Sequence, residues 1–328
     1  MTLDIIVPHY HEPWKLCQPL FDSIALQCGV NWENITVIVV HDGNDCVFED
    51  YMFGGYPFRV ENIAKEHSGL SATRNRGLDE SDADYVMFCD SDDQFLNSLA
   101  LKMIWMEMEK GKNIINPIFL EEAWDADKGE MVYITHKSDA TFMHGKCYRR
   151  ALLVEHNIRF PDGLDLHEDG YFNSLAICCG QDAIVEINTP LYLWKWNKDS
   201  TVRRENYFTV RTYDKLCEVW SRGVKWLKDH GYEREYKHVI CKAIICSYYN
   251  FQSYPFMIEK NRKLRAEAEK AFAKLYKEFR VEFSKCDQKM ISQFTEVLRD
   301  EAIKGKGFYY ELITLNDWLR HIEKVKYT

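Results

Sequence analysis

The chain has 328 residues, is 46% hydrophobic and carries a formal charge of −9. That length allows one large domain or two ordinary ones, and the apolar content is ample for a core. The acidity argues against a broad electrostatic grip on nucleic acid, and no apolar run is long enough to span a bilayer.

The N-terminus, MTLDIIVPHYHEP, lacks the basic and long apolar stretches of a secretory signal and reads as a strand over 3–7. A helical stretch over 14–27 follows, then the apolar run ITVIVV (35–40), a short helical stretch near 44–52, and a strand over 58–63. SATRNRGLDESD (71–82) suits a helix, and DYVMFCD (84–90) a further strand. ITVIVV and YVMF are apolar on both faces, as in strands of a mainly parallel sheet covered on both sides by helices. Pro8, Asp42 and Asp90 fall at or just after the ends of such strands. They should therefore converge, because open α/β sheets bind ligands at their carboxyl ends.

From 113 to 202 the pattern is mixed. IINPIF, MVYIT and IVEINTPLYLW read as strands, while KCYRRALLVEHN and EDGYFNSLAICC read as helices. From 206 onward TYDKLCEVWSRGVKWLKDH, RKLRAEAEKAFAKLYKEF and DQKMISQFTEVLRDEAIK show helical spacing with charged outer faces. The composition changes near 203–206. Eleven cysteines without a CxxC pair predict reduced, mostly buried thiols in a cytoplasmic protein.

Four segments carry candidate chemistry. In HDGND (41–45), Asp42 at a strand end can accept hydrogen bonds from a ligand, although on this segment alone an ordinary Asp-Gly turn is the simpler account. In HSGLSATRNRGL (67–78), a loop runs into a helix bearing Arg74, which suits an anion or simply an exposed arginine on a capped helix. In FCDSDD (88–93), Asp90 and Asp92 project to one side of an extended chain and can share a divalent cation. Asp93 points elsewhere or opens the next helix. In DLHEDGYFN (165–173), Glu168 and Asp169 either complement a helix dipole or supply a general base. No G-x-G-x-x-G, P-loop, HExxH or GxSxG pattern occurs.

In the order IIVPHYHEP, VIVVHDGND, HSGLSATRNRGL, FCDSDD, HGKCYRR, HEDGYFN, LYLWKWNKDST, the chain resembles the inverting glycosyltransferases of family 2 over residues 3–202. The resemblance implies an α/β fold: a GT-A-type nucleotide-binding domain with a mixed, mainly parallel sheet over 1–204, followed by a C-terminal helical subdomain over 205–328. It implies that Pro8, Tyr10 and Glu12 border the base and ribose of a nucleotide-sugar, a UDP-sugar in most of the family, and that Asp42 contacts the base. Family members commonly read DDGS there; this chain has His41 and Asn44 in place of the first aspartate and the serine.

By the same resemblance Arg74 helps hold the nucleotide, Asp92 coordinates Mn²⁺ or Mg²⁺, and Asp90 lies near the ribose or a metal-bound water. Asp169 is the catalytic base, with Glu168 beside it. Lys195 and Ser200 belong to a segment that closes over the diphosphate. Lys195 stands where the family often has arginine, so bidentate phosphate contact is not expected there. Trp194 and Trp196 suit either a sugar platform or the core, with core favoured for at least one. His144 and His167 are expected to be structural rather than extra metal ligands.

The implied acceptor is a hydroxyl of a glycan, a cell-wall polymer or a lipid-linked glycan. A protein or modified-DNA acceptor, and a binding protein without catalysis, are the alternatives. A lipid-linked acceptor would need peripheral attachment at the inner face of the membrane, with Trp220, Lys225, Trp226 and Lys228 as one means and a packed amphipathic helix as the simpler account of them. The helical region also leaves a homo-oligomer open.

Overall fold

The computed structural model describes residues 1–198, 200, 207–305 and 312–326. The chain divides into two compact units, Met1–Lys198 and Asp199–Thr328; the sequence pattern sets the change a few residues later, at 204/205.

The first unit is built on one nine-stranded mixed sheet. Its strands are β1 (Leu3–His9), β2 (Ile35–Asp42), β3 (Arg59–Lys65), β4 (Tyr85–Phe88), β5 (Gln94–Phe95), β6 (Ile114–Asp125), β7 (Glu130–His136), β8 (Cys147–Arg149) and β9 (Ile184–Trp194). They lie in the order β3-β2-β1-β4-β8-β6-β9-β5, with β7 paired to β6. β3, β2, β1 and β4 are parallel, whereas β8 enters antiparallel between β4 and β6. Five helices accompany the sheet: α1 (Trp14–Ala25), α2 (Leu70–Glu80), α3 (Ala100–Glu109), α4 (Arg150–Glu155) and α5 (Glu168–Gly180).

Every residue of β1 is buried, and the alternation of its side chains explains why. Leu3, Ile5 and Val7 join Leu20, Phe21 and Ile24 of α1 in one core with Leu101 and Ile104 of α3. Ile6 points the other way and meets Gly77 of α2. A strand buried on both faces has no polar side, which is why it reads as an unbroken apolar run.

Local readings depart from the observed elements at three places. The stretch near 44–52 is a loop ending in a single 3₁₀ turn at Asp50–Phe53 rather than a helix. KCYRRALLVEHN begins as β8, because Cys147 and Tyr148 are fully buried between β4 and β6, and turns helical only at Arg150. β6 continues beyond IINPIF to Asp125, with irregular pairing to β9 around Pro117, a residue that cannot donate to a ladder.

The second unit is helical: α6 (Phe208–Arg211), α7 (Tyr213–Asp229), α8 (Glu233–Gln252), α9 (Tyr254–Met257), α10 (Arg262–Ser284), α11 (Gln288–Gly305) and α12 (Leu315–Lys324). It has its own core, centred on Tyr213, Ile244, Phe251, Phe272 and Trp318. On α7, Trp220 packs against this core, and Lys225 and Lys228 pair with Glu278 and Glu282 of α10 at 2.7 and 2.9 Å. Among the described residues no helix is long and apolar enough to cross a membrane.

The α2 face that carries Gly77 lies too close to β1 for a methyl group, since a Cβ there would overlap the Ile6 side chain. Gly77→Ala is therefore expected to destabilise the protein by about 1–3 kcal/mol, the usual penalty of overpacking. A urea denaturation midpoint equal to that of the wild type would contradict this.

Candidate active site

Strand order brings the carboxyl ends of β2, β1 and β4 side by side, and these ends carry the first part of the site. Asp42 closes β2 opposite Lys65, the last residue of β3, with which it is in register. Its carboxylate accepts from Lys65 Nζ, from the Ser68 amide at 2.8 Å and from the Gly69 amide at 2.9 Å. His67 Nδ1 lies 2.8 Å from Asp42 Oδ2. Burial would raise the Asp42 carboxyl, but these donors outweigh it and hold it below the usual carboxylate range. Gly69 has φ +92° and a Cβ there would overlap the Asp165 carboxylate, so only glycine fits this turn into α2.

Pro8 is buried in β1 opposite Val40. Tyr10 is exposed, its ring stacked on His67 with centroids 4.6 Å apart. Glu12 folds back, accepting from the Tyr10 amide at 2.7 Å. Burial, with the charge of Asp90 adding to it, raises the Glu12 carboxyl.

The centre of the site is Arg74, buried in α2 at 1% exposure. Its Nη1 donates to Glu168 Oε1 at 2.9 Å and to Asp169 Oδ1 at 2.6 Å, and its Nη2 donates to Asp90 Oδ1 at 2.9 Å. One guanidinium therefore ties the acidic pair at the start of α5 to the first aspartate after β4. Burial acts against the Arg74 charge, and the three carboxylates more than compensate. Asp90 responds in kind: burial would raise it, but Arg74 holds it low. Glu168 does not follow, because burial and the neighbouring Asp169 charge push it up to about 8 against the pull of Arg74.

Asp90 and Asp92 are both half-buried, and Asn197 donates to Asp92 Oδ2 at 2.8 Å. Burial raises Asp92, and the charges of Asp90 and Glu12 add to the effect. This surplus of carboxylate oxygen fits a hard divalent cation. Asp93 opens no helix. It is fully buried, accepts from the Lys195 amide at 2.9 Å and faces His144 Nδ1 at 3.5 Å. Ligand atoms of Asp90, Asp93 and His144 all lie within 4.8 Å of one another. His144 is stacked on Trp194 at 4.8 Å, which places that tryptophan among core aromatics. The Trp196 amide donates to Glu122 Oε2 at 2.9 Å. Lys195 thus joins the site through its backbone. Ser200 lies in the second unit, between positions outside the described residues. His167 caps α5 with a left-handed backbone, φ 63°.

Sequence reading did not single out Lys65, Asp165, Tyr192 or the Asp93–His144 pair. Tyr192 places its hydroxyl 3.2 Å from the Asp90 amide, which donates to it. None of these has a local signature. Lys65 meets Asp42 through strand register, and Asp165 meets α2 through chain closure over 94 positions.

A mainly parallel sheet whose adjacent strand ends hold an aspartate engaged by two backbone amides, a D-x-D pair and an opposing acidic pair defines a GT-A glycosyltransferase. Residues 4–163 match the model of Glycosyl transferase family 2, and this stretch, most of the first unit, is a domain of that family. The chain is 28% identical over 262 residues to glycosyltransferase GlyA of Streptococcus pneumoniae, covering 72% of this chain and 36% of GlyA. It is 27% identical over 197 residues to the poly(ribitol-phosphate) beta-N-acetylglucosaminyltransferase TarS of Staphylococcus aureus, covering 54% of this chain and 32% of TarS. The chain thus spans about a third of the length of either relative. The crystal structure of S. aureus TarS 1-349 in complex with UDP-GlcNAc is similar in fold, with a TM-score of 0.63 at 16% identity over 92% of each chain.

The ordinary value for Glu168 is 4.5 and its folded value is about 8, so the folded state favours the protonated form. Its contribution to stability is fully present below the lower value and is lost as pH rises to the higher. Glu168→Gln removes that loss. Its thermal midpoint, compared with wild type across this pH range, is expected to move steadily in the variant's favour; a constant gap would refute the assignment.

Proposed function

We propose that this glycosyltransferase moves a hexosyl group from a UDP-sugar to a hydroxyl of a glycan, cell-wall polymer or lipid-linked glycan, in one inverting displacement that depends on Mn²⁺ or Mg²⁺. The observation that carries this reading is the Arg74 bridge, which holds Asp169 and Asp90 in one site. The name of TarS and its UDP-GlcNAc complex support the donor and polymer classes.

In this reading each residue has a task set by its surroundings. Asp42, kept ionised by its donors, is an acceptor suited to the imide N–H of uracil, and Tyr10 stacked on His67 forms an exposed aromatic wall beside it. Asp90 and Asp92 would hold the cation, whose charge, when bound, favours departure of the diphosphate. Asp93 and His144, buried behind them, fix the chain that carries Lys195. Arg74 gives three of its five N–H groups to carboxylates, and its buried Nε–H has no hydrogen-bond partner among the described residues.

Asp169 accepts one hydrogen bond from Arg74, at Oδ1. Its carboxylate takes the proton of the acceptor hydroxyl as that oxygen attacks the anomeric carbon and the bond to the diphosphate breaks. Attack and departure on opposite faces invert the configuration, and no covalent nucleophile is needed. Glu168, protonated near neutrality, keeps a second full negative charge away from this base.

The test is a panel of nucleotide-sugars assayed for slow hydrolysis with Mn²⁺ and with chelator. Metal-dependent release of UDP from one donor is expected, and Asp169→Asn should retain donor binding while losing turnover by about 10²–10⁴-fold. Absence of binding to every donor by folded protein with metal present would refute the donor site. Full turnover by Asp169→Asn would refute the base.

A further inference from the structure

Beside the sugar-nucleotide site, at the ends of β1 and β2, lies a second cluster that the proposed reaction does not use. His9 and His41 are buried at 3% and 0% exposure, opposite one another in strand register. Their Nδ1 atoms are 2.8 Å apart.

The protonation of the other nitrogens follows from their partners. His9 Nε2 lies 2.7 Å from the Glu12 carbonyl oxygen, which only accepts, so His9 Nε2 carries a hydrogen. His41 Nε2 lies 2.6 Å from Asn62 Oδ1. The orientation of Asn62 is fixed independently, because its Nδ2 donates to the Phe48 carbonyl at 2.8 Å and to Asp50 Oδ1 at 2.9 Å. His41 Nε2 therefore also carries a hydrogen. Both rings are Nε2–H tautomers, and two Nδ1 lone pairs face each other at contact distance. Lone pairs so placed repel unless an electrophile lies between them.

A proton would serve, but burial acts against it, lowering His9 and pushing His41 down to about 4. A third ligand converges on the same place: a ring nitrogen of each histidine and the Cys46 sulfur all lie within 4.8 Å of one another. Cys46 also groups with His11 and Asp45 on the solvent side, where a fourth ligand is available. Neutral imidazoles whose distal N–H groups are anchored on carbonyl oxygens, together with a thiolate, are the donor set of a zinc-type ion.

We propose that His9, His41 and Cys46 form a binding site for a soft divalent cation of the zinc type, distinct from the carboxylate site at Asp90 and Asp92. Binding replaces the Cys46 S–H bond with a sulfur–metal bond, and the thiol proton passes to solvent. Metal–nitrogen bonds of about 2.0–2.1 Å in tetrahedral geometry set the two nitrogens about 3.3 Å apart, so the rings open by about 0.5 Å on loading. The ion would staple the loop after β1, which bears Tyr10 and Glu12, to the loop after β2. Its role is structural, and it stands independently of the proposed sugar donor.

The probe is Co²⁺ added to the metal-free, reduced full chain and followed by absorption. A thiolate-to-cobalt charge-transfer band that saturates at one equivalent is expected, because an all-oxygen site produces none. Cys46→Ser should abolish the band. Asn62→Leu, which frees the His41 ring, should weaken binding by about 10–100-fold. No such band in the wild-type protein, or a band that persists in Cys46→Ser, would overturn the site and leave the histidine pair sharing a proton.

Discussion

A single buried arginine organises the catalytic half of this molecule. The Arg74 guanidinium is cut off from water, and such a charge is tolerated only where carboxylates and good hydrogen-bond geometry replace its hydration. Here the partners are Asp90, Glu168 and Asp169, which come from two segments far apart in the chain. The requirement works in both directions. Without Arg74 the three acids would crowd one another in a buried site, and without the acids the helix carrying Arg74 could not bury it against the sheet. The position of α5 relative to the end of β4 is thereby tied to a charge balance.

That balance also separates the acids around Arg74 from one another. Three carboxylates face one guanidinium, an excess that burial makes costly. The excess is relieved at Glu168, the most enclosed of the three, whose proton is held well above the usual carboxylate range. Asp90 is held low by the same arginine. Glu168 and Asp90 thus move in opposite directions although both are bound to the same guanidinium, because the charge of Asp169 adds to burial at Glu168.

The part of the site around Asp42 rests on a different constraint, the parallel register of β1, β2 and β3. Register sets Asp42 beside Lys65 and His9 beside His41, and the turn at Gly69 then directs two amides at Asp42. Substituting histidine where the family commonly has aspartate changes this edge from acidic to imidazole-lined. With Asn62 orienting one ring and the Glu12 carbonyl the other, a chain departure from the family pattern becomes a candidate metal centre.

The sequence by itself determined the alternation of apolar runs and helical stretches, the order of the family motifs, and hence the GT-A class. Periodicity and motif order are local properties, and two-sided burial of β1, β2 and β4 leaves an unmistakable apolar signature. It also marked Asp42, Arg74, Asp90, Asp92, Glu168 and Asp169, because each stands at the end of a strand or near the start of a helix. Tertiary structure alone decided what these residues face. It made β8 a strand by burying Cys147 and Tyr148 between two others, and it decided where Asp93 points, into the interior beside His144 rather than at a helix start. It also spent the terminal nitrogens of Arg74 on acids, and brought Lys65, Asp165 and Tyr192 to the site without any local signal. Desolvation and charge pairing depend on the whole surrounding volume, and a linear pattern carries no record of that volume.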